Sequence, residues 1–220
     1  GISISSTAGV TSGLQLENIL VDAKTGHSGL NGGIDIERGD DVQIRDLRVE
    51  GPFLYGVVVR GVSASGCARI SLTDVHLSSD VTTYGILLDG SDGTLSNIAV
   101  NGLTVQDDST LVNAVRVLEV VNDWTVADFL IGSSTGAGAN AIFTGYVTTP
   151  PGPGVIGPGS IKGAWSSHGI AVRAAGTVVI GVRVSGATGS GVQVVNATDV
   201  TVSGCRLTGN ARYGVETAGT

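Results

Sequence analysis

One short pattern recurs along the whole chain and constrains its fold more than any other feature. A Gly/Ala–apolar–x–apolar box reads Gly1-Ile2-Ser3-Ile4, Gly33-Ile34-Asp35-Ile36, Gly56-Val57-Val58-Val59 and Gly85-Ile86-Leu87-Leu88. It continues as Ala114-Val115-Arg116-Val117, Ala141-Ile142-Phe143-Thr144, Gly169-Ile170-Ala171-Val172, Gly191-Val192-Gln193-Val194 and Gly214-Val215-Glu216-Thr217. Successive boxes begin 22 to 32 residues apart. Between boxes runs a second pattern, apolar-x-apolar, two residues, apolar-x-apolar. It is seen as Leu14/Leu16 with Ile19/Val21, Val42/Ile44 with Leu47/Val49, Ile70/Leu72 with Val75/Leu77, and Ile98/Val100 with Leu103/Val105. The later copies are Trp124/Val126 with Phe129/Ile131, a degenerate Gly154/Ile156 with Gly159/Ile161, Thr177/Val179 with Val182/Val184, and Val200/Val202 with Cys205/Leu207.

Each repeat therefore holds three short strands of period two, with one buried and one exposed face apiece. Three strands joined by turns at this interval describe one coil of a solenoid. The expected fold is all-β: a right-handed, single-stranded parallel β-helix of about eight to nine three-strand coils, forming a single solenoid over residues 1–220. A propeller blade needs ~40–45 residues, and a left-handed hexapeptide helix needs a six-residue apolar repeat that is absent. The 35 glycines rule out a mainly helical chain, because each interior glycine costs a helix roughly 1 kcal/mol. Asn18, Asp46, Asp74, Gly102, Asp128, Gly181 and Gly204 all occupy the second position of the link between the second and third strands. These residue types accept a left-handed backbone, so the carboxylates among them read as turn formers, not catalysts.

Hydrophobic residues make up 41% of the chain, which argues against disorder. No apolar run approaches the ~18–20 residues of a membrane helix, so no membrane insertion is expected. Twelve Lys+Arg against nineteen Asp+Glu give a formal charge of −7. That balance disfavours nucleic acid, and it disfavours a highly anionic glycan unless a local arginine cluster overrides it. The chain begins at Gly1 and contains no Met. It reads as a segment of a larger protein whose flanking domains cap the solenoid ends. His27, His76 and His168 are isolated, so neither a metal nor a cofactor is expected. Trp124 falls in the inward column of Leu14, Val42, Ile70 and Ile98, beside Gly154 in the next copy, and reads as core. Cys205 falls in an inward column and reads as a buried thiol. Cys67 reads as a loop residue, too far along the solenoid to pair with it.

These columns resemble the pectate-lyase-like superfamily of right-handed parallel β-helices. The likeness is best carried by Gly33-Ile34-Asp35-Ile36, Val42-Gln43-Ile44-Arg45-Asp46-Leu47-Arg48-Val49 and Tyr55-Gly56-Val57-Val58-Val59. That superfamily includes pectate lyases, polygalacturonases, alginate epimerases, phage tailspikes and adhesins. The resemblance implies a groove along the box strands that reads extended polysaccharide. The catalytic signatures are not reproduced: Gly39-Asp40-Asp41 lies in the wrong register for the paired aspartates of polygalacturonases, and His168-Gly169 only opens a box.

Outward positions on the box strands nominate the groove residues. Asp35, Glu37 and Asp89 are the candidate acid and base, Asp89 standing two coils from the other two and about 10 Å away by the ~4.8 Å coil spacing. That is close to the ~6.5–9.5 Å of an inverting glycosidase pair. Arg60 and Arg116 are candidate substrate-binding cations. Tyr55 and Tyr84, each just before a box, and Trp165, in the polar segment Lys162–Ser167, are candidate sugar-stacking rings. The long loops are Asp22–Gly32, Arg60–Arg69, Asp89–Asn97 and Gly145–Pro153; the first three flank the coils of Asp35, Arg60 and Asp89, which places the groove in the N-terminal half.

The expected function is polysaccharide recognition, with possible depolymerisation, by a tailspike, tail fibre or surface protein at an extracellular or virion surface. The alternatives are a secreted lyase, hydrolase or epimerase, and a non-catalytic stalk or adhesin. Apolar residues at outward positions, Val58, Leu87 and Phe143 on the box strand with Leu20 and Leu130 on the third, suggest an interface and a homotrimer.

Overall fold

The structure is a computed structural model; it describes residues 1–4, 11–23, 30–62, 66–107, 109–135, 139–145 and 148–219. No helix occurs among them, and the strands pair in parallel throughout. The box strands stack in register, so Ile2, Ile34, Val57, Ile86, Val115, Ile142, Ile170, Val192 and Val215 form one continuous column. The second and third strands stack the same way, from Leu16 through Ile44, Leu72 and Val100 to Val126, and from Ile19 through Leu47 and Val75 to Leu103. This three-faced ladder is a parallel β-helix.

The inward columns form the core. Ile34, Ile36, Val57, Val59, Ile86, Leu88, Val115 and Val117 are all fully buried. At roughly 1.5–3 kcal/mol per buried aliphatic side chain, this repeated burial is the main stabilising term. The box opens on glycine because the coils approach closely at that corner. A Cβ on Gly56 would lie 2.6 Å from the carbonyl oxygen of Gly85 and 2.7 Å from Leu77. The link residues Asn18, Asp46, Asp74, Gly102, Asp128, Gly181 and Gly204 all have positive φ. A second left-handed ladder, through Asp41, Arg69, Asn97, Asp123, Gly176 and Asp199, marks the turn before the second strand. Its mixed residue types hide it in the sequence.

Core volume is shared between coils. Trp124 is buried and pairs with Gly154, and Phe129 pairs with Gly159. A Cβ on Gly154 would lie 2.0 Å from the indole. The Trp124 ring N–H donates to the Gly152 carbonyl at 3.0 Å. Three sequence expectations need correction. Cys67 is not in a loop: it is buried at the start of the strand Cys67–Leu77, its thiol donating to the Arg60 carbonyl. Cys205 is only half-buried because it lies in the last stacked copy of the third strand. Val58 and Leu87 point outward but are 0% and 6% exposed, so they offer no interface.

Candidate functional site

The outward face of the box strands is built from adjacent columns. One runs Asp35, Val58, Leu87, Arg116, Phe143, Ala171, Gln193, Glu216. Two residues further along each strand runs Glu37, Arg60, Asp89, Leu118, Gly145. On the other side runs Tyr55, Tyr84, Asn113, Asn140. Strand alternation sets the side chains of the first two columns outward because their neighbours Ile34, Val57, Ile86 and Val115 are committed to the core.

At the N-terminal end Asp35, Glu37 and Arg60 come together. Arg60 Nη2 stands 3.6 Å from Asp35 Oδ2, and Nη1 stands 3.9 Å from Glu37 Oε1. These are ion pairs at distances too long for hydrogen bonds. Asp35 Oδ1 is buried and has no hydrogen-bond partner. Burial raises the Asp35 carboxyl above its ordinary value; Arg60 opposes this and Glu37 reinforces it. Asp89 lies beside Arg60 in register but turns to Ser91 of its own strand, Tyr84–Val105, Oδ1 accepting from Ser91 N at 3.1 Å and Ser91 Oγ at 2.7 Å, so the loop expected over Asp89–Asn97 is strand.

The middle of the face is a stack. The Tyr55 and Tyr84 rings lie 5.6 Å apart and 20° from parallel. Arg116 Cζ lies 4.7 Å from the Tyr84 centroid and 5.4 Å from that of Phe143, and Arg173 Cζ lies 5.5 Å from Phe143. An Arg116 Nη–H also donates to the Tyr84 hydroxyl. The Nε atoms of both arginines are buried without an acceptor. Phe143, read in the sequence as an interface residue, is thus a spacer between two guanidiniums. The Phe143–Gly145 pair, two residues apart on one face, was the available signal.

Toward the C-terminus a polar ladder locks one coil to the next. Asn113 Nδ2 donates to the Asn140 carbonyl, His168 N to Asn140 Oδ1, and Ser190 N to His168 Nδ1. Burial holds the His168 ring below its ordinary value, with Glu216 opposing and Arg212 reinforcing. Ser190 Oγ donates to Glu216 Oε2 at 2.6 Å. Trp165 does not join the face. It is fully buried, its ring N–H donating to the Gly132 carbonyl at 2.9 Å, while its neighbours Ala164 and Ser166 take the exposed positions. His27 and part of the loops Asp22–Gly32 and Arg60–Arg69 lie outside the described residues. Among the described residues no cluster of three His, Cys, Asp or Glu side chains has the geometry to hold a metal ion.

No protein-family model matches the chain, and no curated protein matches it. A solved structure of the surface protein and adhesin PfbA of Streptococcus pneumoniae is similar at 9% identity and a TM-score of 0.25, over 84% of this chain and 68% of that one. The β-helix itself rests on the strand ladder.

Proposed function

We propose that this chain is the glycan-recognising β-helix of a tailspike, tail fibre or other surface protein, of pectate-lyase-like type. An extended polysaccharide lies along the outward face of its box strands. One observation carries this reading: Asp35 Oδ1, Arg116 Nε and Arg173 Nε, three of the buried polar atoms without partners, belong to this face, which also holds the rings of Tyr55, Tyr84 and Phe143. Each buried unpaired group costs the free protein about 1–3 kcal/mol. Sugar hydroxyls would supply the missing donors and acceptors, and sugar rings stack on aromatic faces.

The Asp35 site favours a second reading, in which the same face cleaves the glycan. The Asp35 carboxyl, whose hold on its proton is strengthened by burial, donates that proton to the glycosidic oxygen. Glu37, or Asp89 on the next coil but one, takes a proton from the attacking water. Binding and chain-length assays on a panel of bacterial surface polysaccharides test both readings. Binding with shortening that Asp35→Asn abolishes supports the enzyme. Binding without shortening supports the receptor. Neither binding nor shortening leaves a rigid stalk and overturns the glycan reading.

A further inference from the structure

We infer that Arg116, Phe143 and Arg173 form an anion clamp whose ligand is an acidic glycan bearing one anionic group per disaccharide. The inference rests on the glycan reading above and specifies its substrate class.

The clamp is continuous with the tyrosine pair, so the order along the face is ring, ring, guanidinium, ring, guanidinium. A guanidinium packed against rings keeps its charge and presents an N–H edge, the geometry that matches a carboxylate or sulfate. Other arginines near this strip or its turns are neutralised by the protein: Arg60 by Asp35 and Glu37, Arg69 by Asp40 and Asp41, and Arg212 by Glu216. Arg48, Arg183 and Arg206 are exposed to water. Arg116 and Arg173 are half-buried, and among the described residues neither pairs with a carboxylate. In a chain of net charge −7, two uncompensated cations side by side form a local exception that an anion completes.

The mounting is built. Thr144 fills a core position, and its Oγ1 accepts the backbone N–H groups of Arg173 at 2.8 Å and Ala174 at 3.2 Å, fixing where Arg173 leaves the strand. Phe143 lies over Gly145, where a Cβ would stand 2.1 Å from the ring. Arg116 and Arg173 stand on coils two apart, about 10 Å along the axis. A polysaccharide extended along the axis covers that span with one disaccharide, so one anion per disaccharide meets each arginine in turn.

The test compares three glycans by calorimetry at low salt: hyaluronan oligosaccharides (one carboxylate per disaccharide), keratan sulfate (sulfate without carboxylate) and chitin oligosaccharides (uncharged). Expected is binding of at least one acidic glycan tenfold or more tighter than chitin, weakening with added salt. Which acidic glycan binds tighter identifies the anion. Arg116→Gln and Arg173→Gln should each cut that binding at least tenfold, with melting temperatures confirming the fold. Gly145→Ala should do the same by displacing the Phe143 ring without changing charge, and Arg206→Gln should leave binding unchanged. Equal affinity for acidic and neutral glycans, unaffected by the arginine changes, overturns the clamp and leaves the glycan reading standing. Failure to bind any glycan, acidic or neutral, overturns both.

Discussion

Asp35 is half-buried between Arg60 and Glu37 with one carboxylate oxygen lacking any donor. Its pKa is raised by burial above the ordinary 3.8. A raised carboxyl pKa means the folded state binds the proton more tightly than the unfolded chain. The resulting stabilisation is fully present below pH 3.8 and is lost as pH rises through the folded value. At neutral pH the ionised side chain therefore costs stability. Replacing Asp35 with Asn should raise the melting temperature at pH 7, and the gain should shrink to nothing below pH 3.8. Melting curves across that range check it, and a variant destabilised at pH 7 would contradict the account. Retention of a destabilising carboxylate is the usual mark of a group kept for function.

At the scale of strands, the solenoid tolerates large rings because neighbouring coils give way to them. Trp124 and Gly154 are directly paired across two strands, as are Phe129 and Gly159. Gly154→Ala should cost about 1–3 kcal/mol, because the new methyl meets a buried, hydrogen-bonded indole that cannot move. In the Trp124→Leu background the same change should cost much less, since the smaller side chain leaves room. A double-mutant cycle by urea denaturation reads the coupling, and simple additivity would refute the shared-volume explanation. The segment Thr148-Thr149 is anchored by a different device. The buried Glu119 carboxylate accepts from Thr148 N, Thr148 Oγ1 and Thr149 N. Glu119→Ala should therefore destabilise by about 2–3 kcal/mol, because bonds to a charged acceptor are lost and donors are left unpaired. The melting temperature measures this, and an unchanged value would show the segment is held elsewhere.

For the molecule as a whole, the outward apolar positions of the N-terminal coils that stay exposed lie on the third-strand face. Leu20 is 60% exposed and Leu130 46%, while Val58 and Leu87 are covered. Between the two leucines the column carries Arg48, His76 and Thr104. We propose that a homotrimer of this protein meets along this face and leaves the box strands free for glycan. Leu20→Ser with Leu130→Ser should then lower the mass seen by sedimentation equilibrium. A protein that is monomeric at every concentration would exclude the assembly.

The sequence by itself determined the repeat, the inward columns and one ladder of turns. Period-two alternation named the inward columns, and the recurring Asn, Asp and Gly named the left-handed links at Asn18, Asp46 and Asp74. The juxtaposition of Asp35, Glu37 and Arg60 also followed, since register alone makes them neighbours. Only the tertiary structure decided what happens above the outward face. Alternation states that a side chain leaves the core, not whether neighbouring coils then cover it, so Val58 and Leu87 passed for exposed. Trp165 lies outside any strand, where no period applies, and its burial depends on a hydrogen bond to Gly132 on the preceding coil. The Tyr84–Arg116–Phe143–Arg173 stack likewise joins residues on successive coils through the lean of their side chains. Rotamers packed against neighbours from other coils set that lean, and no local pattern in the chain encodes them.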